Sequence, residues 1–141
     1  MPTTIARLNV PYGERIGGGP LQHLRAIRAG RPIEVHDSGD NRFNPIHEDD
    51  IIAKVPGLLS VAGIPTTTVN LGGSEAVDIR QWCFALGEFA GGEPIFAETG
   101  QTIAGVRVDL SLMHRLVGPT GVDWRQGMRR LVDAHEGAVA C

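Results

Sequence analysis

The chain is poor in several residue types, and each shortage removes a class of function. Lys54 is the only lysine and Tyr12 the only tyrosine. Two cysteines, Cys83 and Cys141, are too few for a disulfide framework. Cys83 lies in the apolar run Trp82-Cys83-Phe84-Ala85-Leu86 and reads as a small packed hydrophobe, whereas Cys141 falls in an expected disordered tail at 138–141. No apolar run approaches the ~20 residues of a membrane span. Met1-Pro2-Thr3-Thr4 carries neither the basic nor the apolar stretch of a signal peptide, so the expected placement is cytoplasmic, with no membrane partner. A net charge of −3, with scattered basic residues, gives no electrostatic case for nucleic acid. A hydrolase elbow, Gly-x-Ser-x-Gly, is missing. His36, His47, Glu48, Asp49 and Asp50 crowd one region, but neighbours at a helix start point in different directions and no His-x-x-x-His pair or cysteine joins them. No metal site is expected.

What remains is an ordinary globular composition. At 42% hydrophobic and 21% charged residues, 141 residues support one domain, placed at 1–137. Thr3–Val10 is apolar and β-branched and ends at Pro11, which predicts a strand buried on both faces. Leu21, Leu24 and Ile27 at helical spacing before Gly30 predict a helix over Pro20–Ala29. Pro32–His36 reads as a strand, 37–40 as a turn, and Phe43–Ile46 as extended, with Pro45 keeping Asn44 out of helix. A helix starts near Glu48, where three carboxylates complement its dipole, and Pro56 is expected to kink it. Thr66–Leu71 reads as a strand, and Ser74 or Asp78 as the cap of a helix over Ile79–Ala90. Pro94–Glu98 and Val106–Val108 read as short strands, and Leu110–Val117 and Trp124–Ala134 as the last helices. Strands separated by helices give an α/β fold with mostly parallel pairing.

Three segments carry more than fold. They are Arg7-Leu8-Asn9-Val10-Pro11-Tyr12-Gly13, the stretch from Asp37-Ser38-Gly39-Asp40-Asn41-Arg42 through Phe43-Asn44-Pro45-Ile46-His47 to Glu48-Asp49-Asp50-Ile51, and Thr68-Val69-Asn70-Leu71-Gly72-Gly73. In that order and spacing the chain resembles the C-terminal half of an extended short-chain dehydrogenase/reductase, the family of NAD(P)-dependent sugar epimerases, dehydratases and related reductases. The resemblance implies a partial Rossmann-type parallel sheet, made of its last strands, plus a small substrate-binding α/β lobe. It puts Asn9 and Tyr12 on the loop that lines the nicotinamide and substrate, with Asn9 one residue earlier than the common form. The other reading of Asn9 is a strand-end side chain that bonds neighbouring backbone. Arg42 matches the arginine that reaches substrate phosphates, a planar fork suited to anionic oxygens, although Phe43-Asn44 follow it where the family has an aspartate. His47 and Asp50 match Ile-His-x-x-Asp, whose task is to order the helix start. Arg107, in Val106-Arg107-Val108-Asp109, matches a substrate-facing arginine; the alternative is a surface ion pair.

The same resemblance exposes what is missing. Catalysis in the family needs Tyr-x-x-x-Lys, and here Arg15, Ile16 and Gly17 follow Tyr12-Gly13-Glu14. The triple glycine at 17–19 is not G-x-G-x-x-G between strand and helix. The chain is therefore expected to hold no catalytic residue of its own and no tight site for the NAD or NADP of an intact enzyme. The short Glu14–Gly19 loop counts against a nucleotide-sugar substrate and towards a smaller carbonyl or alcohol. Three readings follow: the substrate-binding portion of an NAD(P)-dependent epimerase/dehydratase-like oxidoreductase, a standalone non-catalytic ligand- or subunit-binding module, or one half of a split enzyme. Expected partners are a small-molecule substrate, and either a complementary N-terminal half or a second copy meeting the open edge of the first strand.

Overall fold

A computed structural model describes residues 1–136 of the chain. Gly137 and the expected tail at 138–141, with Cys141, lie outside the described residues. The elements run β1 (Thr4–Leu8), β2 (Pro11–Gly13), α1 (Gly18–Ala29), β3 (Pro32–His36), β4 (Arg42–Phe43), β5 (Ile46–His47), α2 (Glu48–Ser60), β6 (Thr67–Leu71), β7 (Val77–Asp78), α3 (Ile79–Ala90), β8 (Ile95–Thr99), α4 (Ser111–Val117) and α5 (Trp124–His135). β1 pairs in parallel with β6, Thr4 opposite Thr67 and Leu8 opposite Leu71. β2–β5 and β3–β8 are also parallel pairs, and β4–β7 is antiparallel. The fold is α/β with the first and sixth strands adjacent and parallel, as the sequence predicts.

Local chemistry explains most element ends. Gly30 takes a left-handed φ of 67° after α1, and its N–H donates to the Ile27 carbonyl. Of the two candidate caps for α3, Asp78 is the one used: it accepts from Arg80 N while Gln81 reaches back to the Asp78 N–H, a capping box. Asp123 caps α5, and Asp109 accepts from both the amide and hydroxyl of Ser111 at the start of α4. α2 runs on through Pro56 to Ser60.

Two expectations need correction. β1 is shorter than Thr3–Val10 and is not buried on both faces: Ile5 is 49% and Leu8 48% exposed. Burial of both faces requires packing over both, and among the described residues β6 is the only strand paired with β1. Val10 ends the strand with a φ of 45°, which a β-branched residue rarely adopts. Val106–Val108 is not a strand either. Its backbone is held by asparagine side chains rather than by another strand, as described below.

Two apolar clusters form the interior. The larger joins Leu21, Leu24 and Ile27 of α1 to Trp82 and Leu86 of α3 and to Met128, Leu131 and Val132 of α5. The smaller gathers Ile46, Leu58, Val69, Leu71, Leu110 and Met113 beneath α2 and α4. α2 is inverted relative to an ordinary surface helix. It buries Glu48, Asp50 and Lys54 alongside Leu58 and leaves Ile52, Val55 and Leu59 exposed. The buried charges are occupied: Lys54 Nζ donates to the carbonyls of Val117, Gly118 and Pro119 at 2.8–3.2 Å, and Asp50 accepts from Gly121 N and Val122 N at 2.7 and 3.0 Å. Asp50 thus secures the loop after α4, besides lying in the acidic first turn of its own helix.

One half-buried histidine beside the larger cluster gives it a pH dependence. Trp82 Nε1–H donates to His23 Nδ1 at 2.9 Å, and the rings stack. Burial lowers the His23 pKa from 6.5 to about 4. Below the unfolded pKa the unfolded chain binds a proton that the native imidazole refuses, so stability is complete above pH 6.5 and is lost as pH falls towards 4. We expect urea midpoints at pH 7, 5.5 and 4.5 to show a loss on the order of 2 kcal/mol, discounted for the partly wetted ring edge. His23→Gln, which keeps an acceptor for the indole without titrating, should flatten that part of the slope.

Candidate functional site

In an open parallel sheet the chain ends its strands at one rim, and ligands sit beyond that rim. Here the rim is the carboxyl end of β1 and β6, and the segment 102–110 crosses it without forming a strand. Two asparagines replace the missing ladder. Asn9 Oδ1 accepts from Asn44 N at 2.7 Å, and Asn9 Nδ2 donates to the Val106 carbonyl at 3.2 Å. Asn44 Nδ2 donates to the Gly73 carbonyl at 3.1 Å, and its Oδ1 accepts from Val108 N at 3.1 Å. Asn70 Nδ2 adds a longer contact to the Asp109 carbonyl and receives Arg7 Nε on its oxygen at 2.9 Å.

This clamp brings Arg42 and Arg107 together. Arg42 Nε lies 3.7 Å from Asp40 Oδ1, and Arg107 Nη2 lies 3.8 Å from Asp40 Oδ2. The close approach depends on Gly105, whose N–H donates to the Asp40 carbonyl at 2.8 Å. A Cβ at Gly105 would stand 2.6 Å from Arg42 N. Both guanidiniums and the carboxylate are about half exposed, so the arrangement is two positive forks and one negative group, open to solvent. It can hold an anion between the arginines at the expense of the longer contacts to Asp40. Nothing in the sequence singles out Asp40 for this role. An aspartate beside glycine reads as a turn former, and no local signal marks its second partner.

The other two candidate residues are placed differently. Asn9 is nearly buried, and both ends of its amide bond other parts of the chain. Tyr12 is 1% exposed, with its hydroxyl 3.5 Å from the Trp124 carbonyl and its ring edge-on to His47. Burial pushes its phenol upwards, away from ionisation. α5 can pass over it because residue 127 is glycine: a Cβ there would collide with the hydroxyl. Tyr12 is a core residue in this structure, not one facing an open surface.

His47 sits between those core residues and a surface network. Its Nδ1 accepts from Asp49 N at 3.0 Å as the cap of α2. The neutral ring therefore carries its proton on Nε2, which faces Glu14 Oε2 at 2.9 Å. Arg130 of α5 bridges Glu14 and Asp49 at 2.7 and 2.8 Å and holds the Asp49 carboxyl below its usual range through their hydrogen bond. These groups tie α5 to the start of α2. Among the described residues no group of three or more His, Cys, Asp or Glu side chains is placed to hold a metal ion, and no helix is long and apolar enough to cross a membrane.

No family model and no curated protein sequence matches the chain. Solved structures do. MoeE5 in complex with UDP-glucuronic acid and NAD superposes with a TM-score of 0.76 at 20% identity, over 96% of this chain and 48% of that one. UDP-glucuronic acid 4-epimerase from Bacillus cereus, in complex with UDP-glucuronic acid and NAD, gives 0.79 at 17% identity, over 98% and 46%. The UDP-glucose 4-epimerase of Thermus thermophilus, in complex with NAD, gives 0.71 at 22% identity, over 99% and 48%. The likeness is one of fold. The chain has the α/β architecture found in about half of each of these longer chains.

The asparagine clamp gives a direct test of how the site is built. Asn44→Leu leaves the Gly73 carbonyl and the Val108 amide without their partners in a buried setting. We expect a loss of about 2–4 kcal/mol in urea unfolding, together with faster amide exchange at Val108. A wild-type exchange rate at Val108 in the variant would show that the segment is held by something else.

Proposed function

We propose that the chain is the substrate-side portion of an NAD(P)-dependent epimerase/dehydratase-like oxidoreductase, with Arg42 and Arg107 gripping an anionic group of the substrate. The observation that carries this reading is the meeting of the two arginines at the carboxyl rim of the parallel β1–β6 pair, in a fold shared with NAD-bound epimerase structures. In the intact enzyme hydride passes between nicotinamide and a substrate carbon, and NAD or NADP is held by a part of the fold that this chain does not span. This half shapes and charges the substrate pocket. Its own tyrosine and lysine do not make an acid/base pair: Tyr12 is buried and Lys54 is fixed on three carbonyls at the end of α4. The chain alone is accordingly read as non-catalytic, in a cytoplasmic setting.

MoeE5 is held with UDP-glucuronic acid in one of the similar structures and with UDP-glucose in another, and a diphosphate suits a pair of guanidiniums. Two features of this chain favour a less highly charged substrate. Asp40 offsets one of the two positive charges, and the loop between β2 and α1 is only a few residues long. A standalone ligand-binding module is the second reading. What favours it is internal completeness: among the described residues, no buried side-chain nitrogen or oxygen lacks a hydrogen-bond partner.

Calorimetric titration with UDP, pyrophosphate and inorganic phosphate tests the arginine pair. We expect saturable binding of at least one of them that weakens with salt. Arg42→Ala and Arg107→Ala should each weaken it about tenfold or more, the worth of one charge-assisted hydrogen bond. Absence of binding by all three, or binding indifferent to both substitutions, contradicts the proposal.

A further inference from the structure

Arg42 and Arg107 meet over a carboxylate that belongs to the chain itself. Asp40 presents Oδ1 to Arg42 Nε at 3.7 Å and Oδ2 to Arg107 Nη2 at 3.8 Å, so one carboxylate spans the two forks with an oxygen to each. Both contacts are longer than hydrogen bonds. Among the described residues neither guanidinium donates a hydrogen bond or has another ion-pair partner, which leaves their donors available to a ligand. Asp40, by contrast, is tethered. Its Oδ1 accepts from Arg42 N at 3.4 Å, its carbonyl accepts from Gly105 N at 2.8 Å, and its own N–H reaches Ser38 Oγ at 3.4 Å. A Cβ at Gly105 would stand 2.9 Å from Asp40 Oδ1, so the backbone at 105 walls the carboxylate on one side. An anion that binds the two arginines therefore does so with Asp40 still beside it.

We propose that Asp40 sets the class of ligand this site takes: a substrate held by a single carboxylate, in preference to a phosphate dianion or a diphosphate. This rests on the reading of Arg42 and Arg107 as the substrate-binding pair and narrows it. Two guanidiniums and one tethered carboxylate leave a single net positive charge, which a monocarboxylate neutralises. A phosphate dianion or a diphosphate brings further negative charge up against Asp40, and the repulsion grows in proportion to the ligand's charge. Size agrees with charge. The two forks are spaced so that the oxygens of one carboxylate reach both, as those of Asp40 do. The backbones that carry them are stitched together by the Gly105–Asp40 hydrogen bond, which leaves little room to spread around two phosphate groups. A carboxylate is also planar, like each guanidinium, and suits side-on contact with such forks. Asp40 has a second effect before any ligand arrives. It draws the two arginines towards each other, so less side-chain freedom is lost on binding. Asp40 is thus a positioning residue that selects by charge, and it takes no part in bond making.

Amide-resolved NMR titrations of the full chain with lactate, a monocarboxylate, and with pyrophosphate provide the test, read at Arg42, Gly105 and Arg107 at constant ionic strength. Thermal melts confirm that each variant is folded. We expect the wild-type chain to bind lactate at least as tightly as pyrophosphate. Asp40→Asn keeps the oxygen that accepts from Arg42 N and removes only the charge. It should tighten pyrophosphate about tenfold or more and lactate about threefold or less. Asp40→Ser, which also keeps a turn-forming oxygen, should shift the ratio the same way and replaces Asp40→Asn if that variant does not fold. Asp37→Asn, at an exposed carboxylate that pairs with His36, should move the ratio less than about twofold. A wild-type preference for pyrophosphate, equal gains for both ligands in Asp40→Asn, or no gain while Arg107→Ala still abolishes binding overturns the role given to Asp40 and leaves the arginine pair standing. Binding of neither ligand at these amides, in the wild type and in Asp40→Asn alike, overturns the arginine reading and this inference with it.

Discussion

Everything at the rim of this molecule depends on two buried asparagines. Asn9 and Asn44 together hold the end of β1, the turn before β5, the Gly72-Gly73 exit of β6 and the 106–108 segment. A leucine at either position would bury apolar area but strand several backbone groups, each at a cost of about 1–3 kcal/mol. The amide is well suited to the task because it donates and accepts at once. Without that clamp, Arg107 would have no fixed relation to Arg42, since the two share no secondary-structure element.

The remaining charged groups follow a similar logic of tying distant loops together. Lys54 closes the last turn of α4, Asp50 holds the loop behind it, and the Glu14–His47–Arg130–Asp49 network docks α5 on the start of α2. α2 therefore adds polar anchors to its buried face beside Leu58, and leaves Ile52, Val55 and Leu59 outside. An exposed apolar stripe of that kind is unfavourable in water.

Legibility in the sequence tracks the range of the interaction. Caps and turns are local, so Gly30 and Asp78 mark helix ends from a few neighbouring letters, and Pro32–His36 is bounded by a glycine on one side and a turn on the other. Thr3–Val10 has the composition of a central strand, but burial depends on what packs around it, and among the described residues β6 is its only partner strand. Val106–Val108 alternates as a strand would; its hydrogen bonds come from asparagines distant along the chain. Arg42 and Arg107 stand out in the sequence only through the family resemblance, which is the ground for proposing them as substrate-facing. Asp40, the group that joins them, is hidden because its role as a turn former is sufficient reason for an aspartate there. Tyr12 shows the opposite limit: the motif marks the position, and the absence of a side chain at Gly127 decides that the ring is covered.

The central claim is that the clamped rim presents an anion site between Arg42 and Arg107. Its most direct test is an amide-resolved NMR titration of the whole chain with pyrophosphate. The account predicts saturable shifts centred on Arg42, Gly105 and Arg107, with β3 and α1 unmoved. Shifts confined to another surface, such as Arg28 and Gly91-Gly92 at the far end of α1 and α3, or no saturable shift at all, would contradict it.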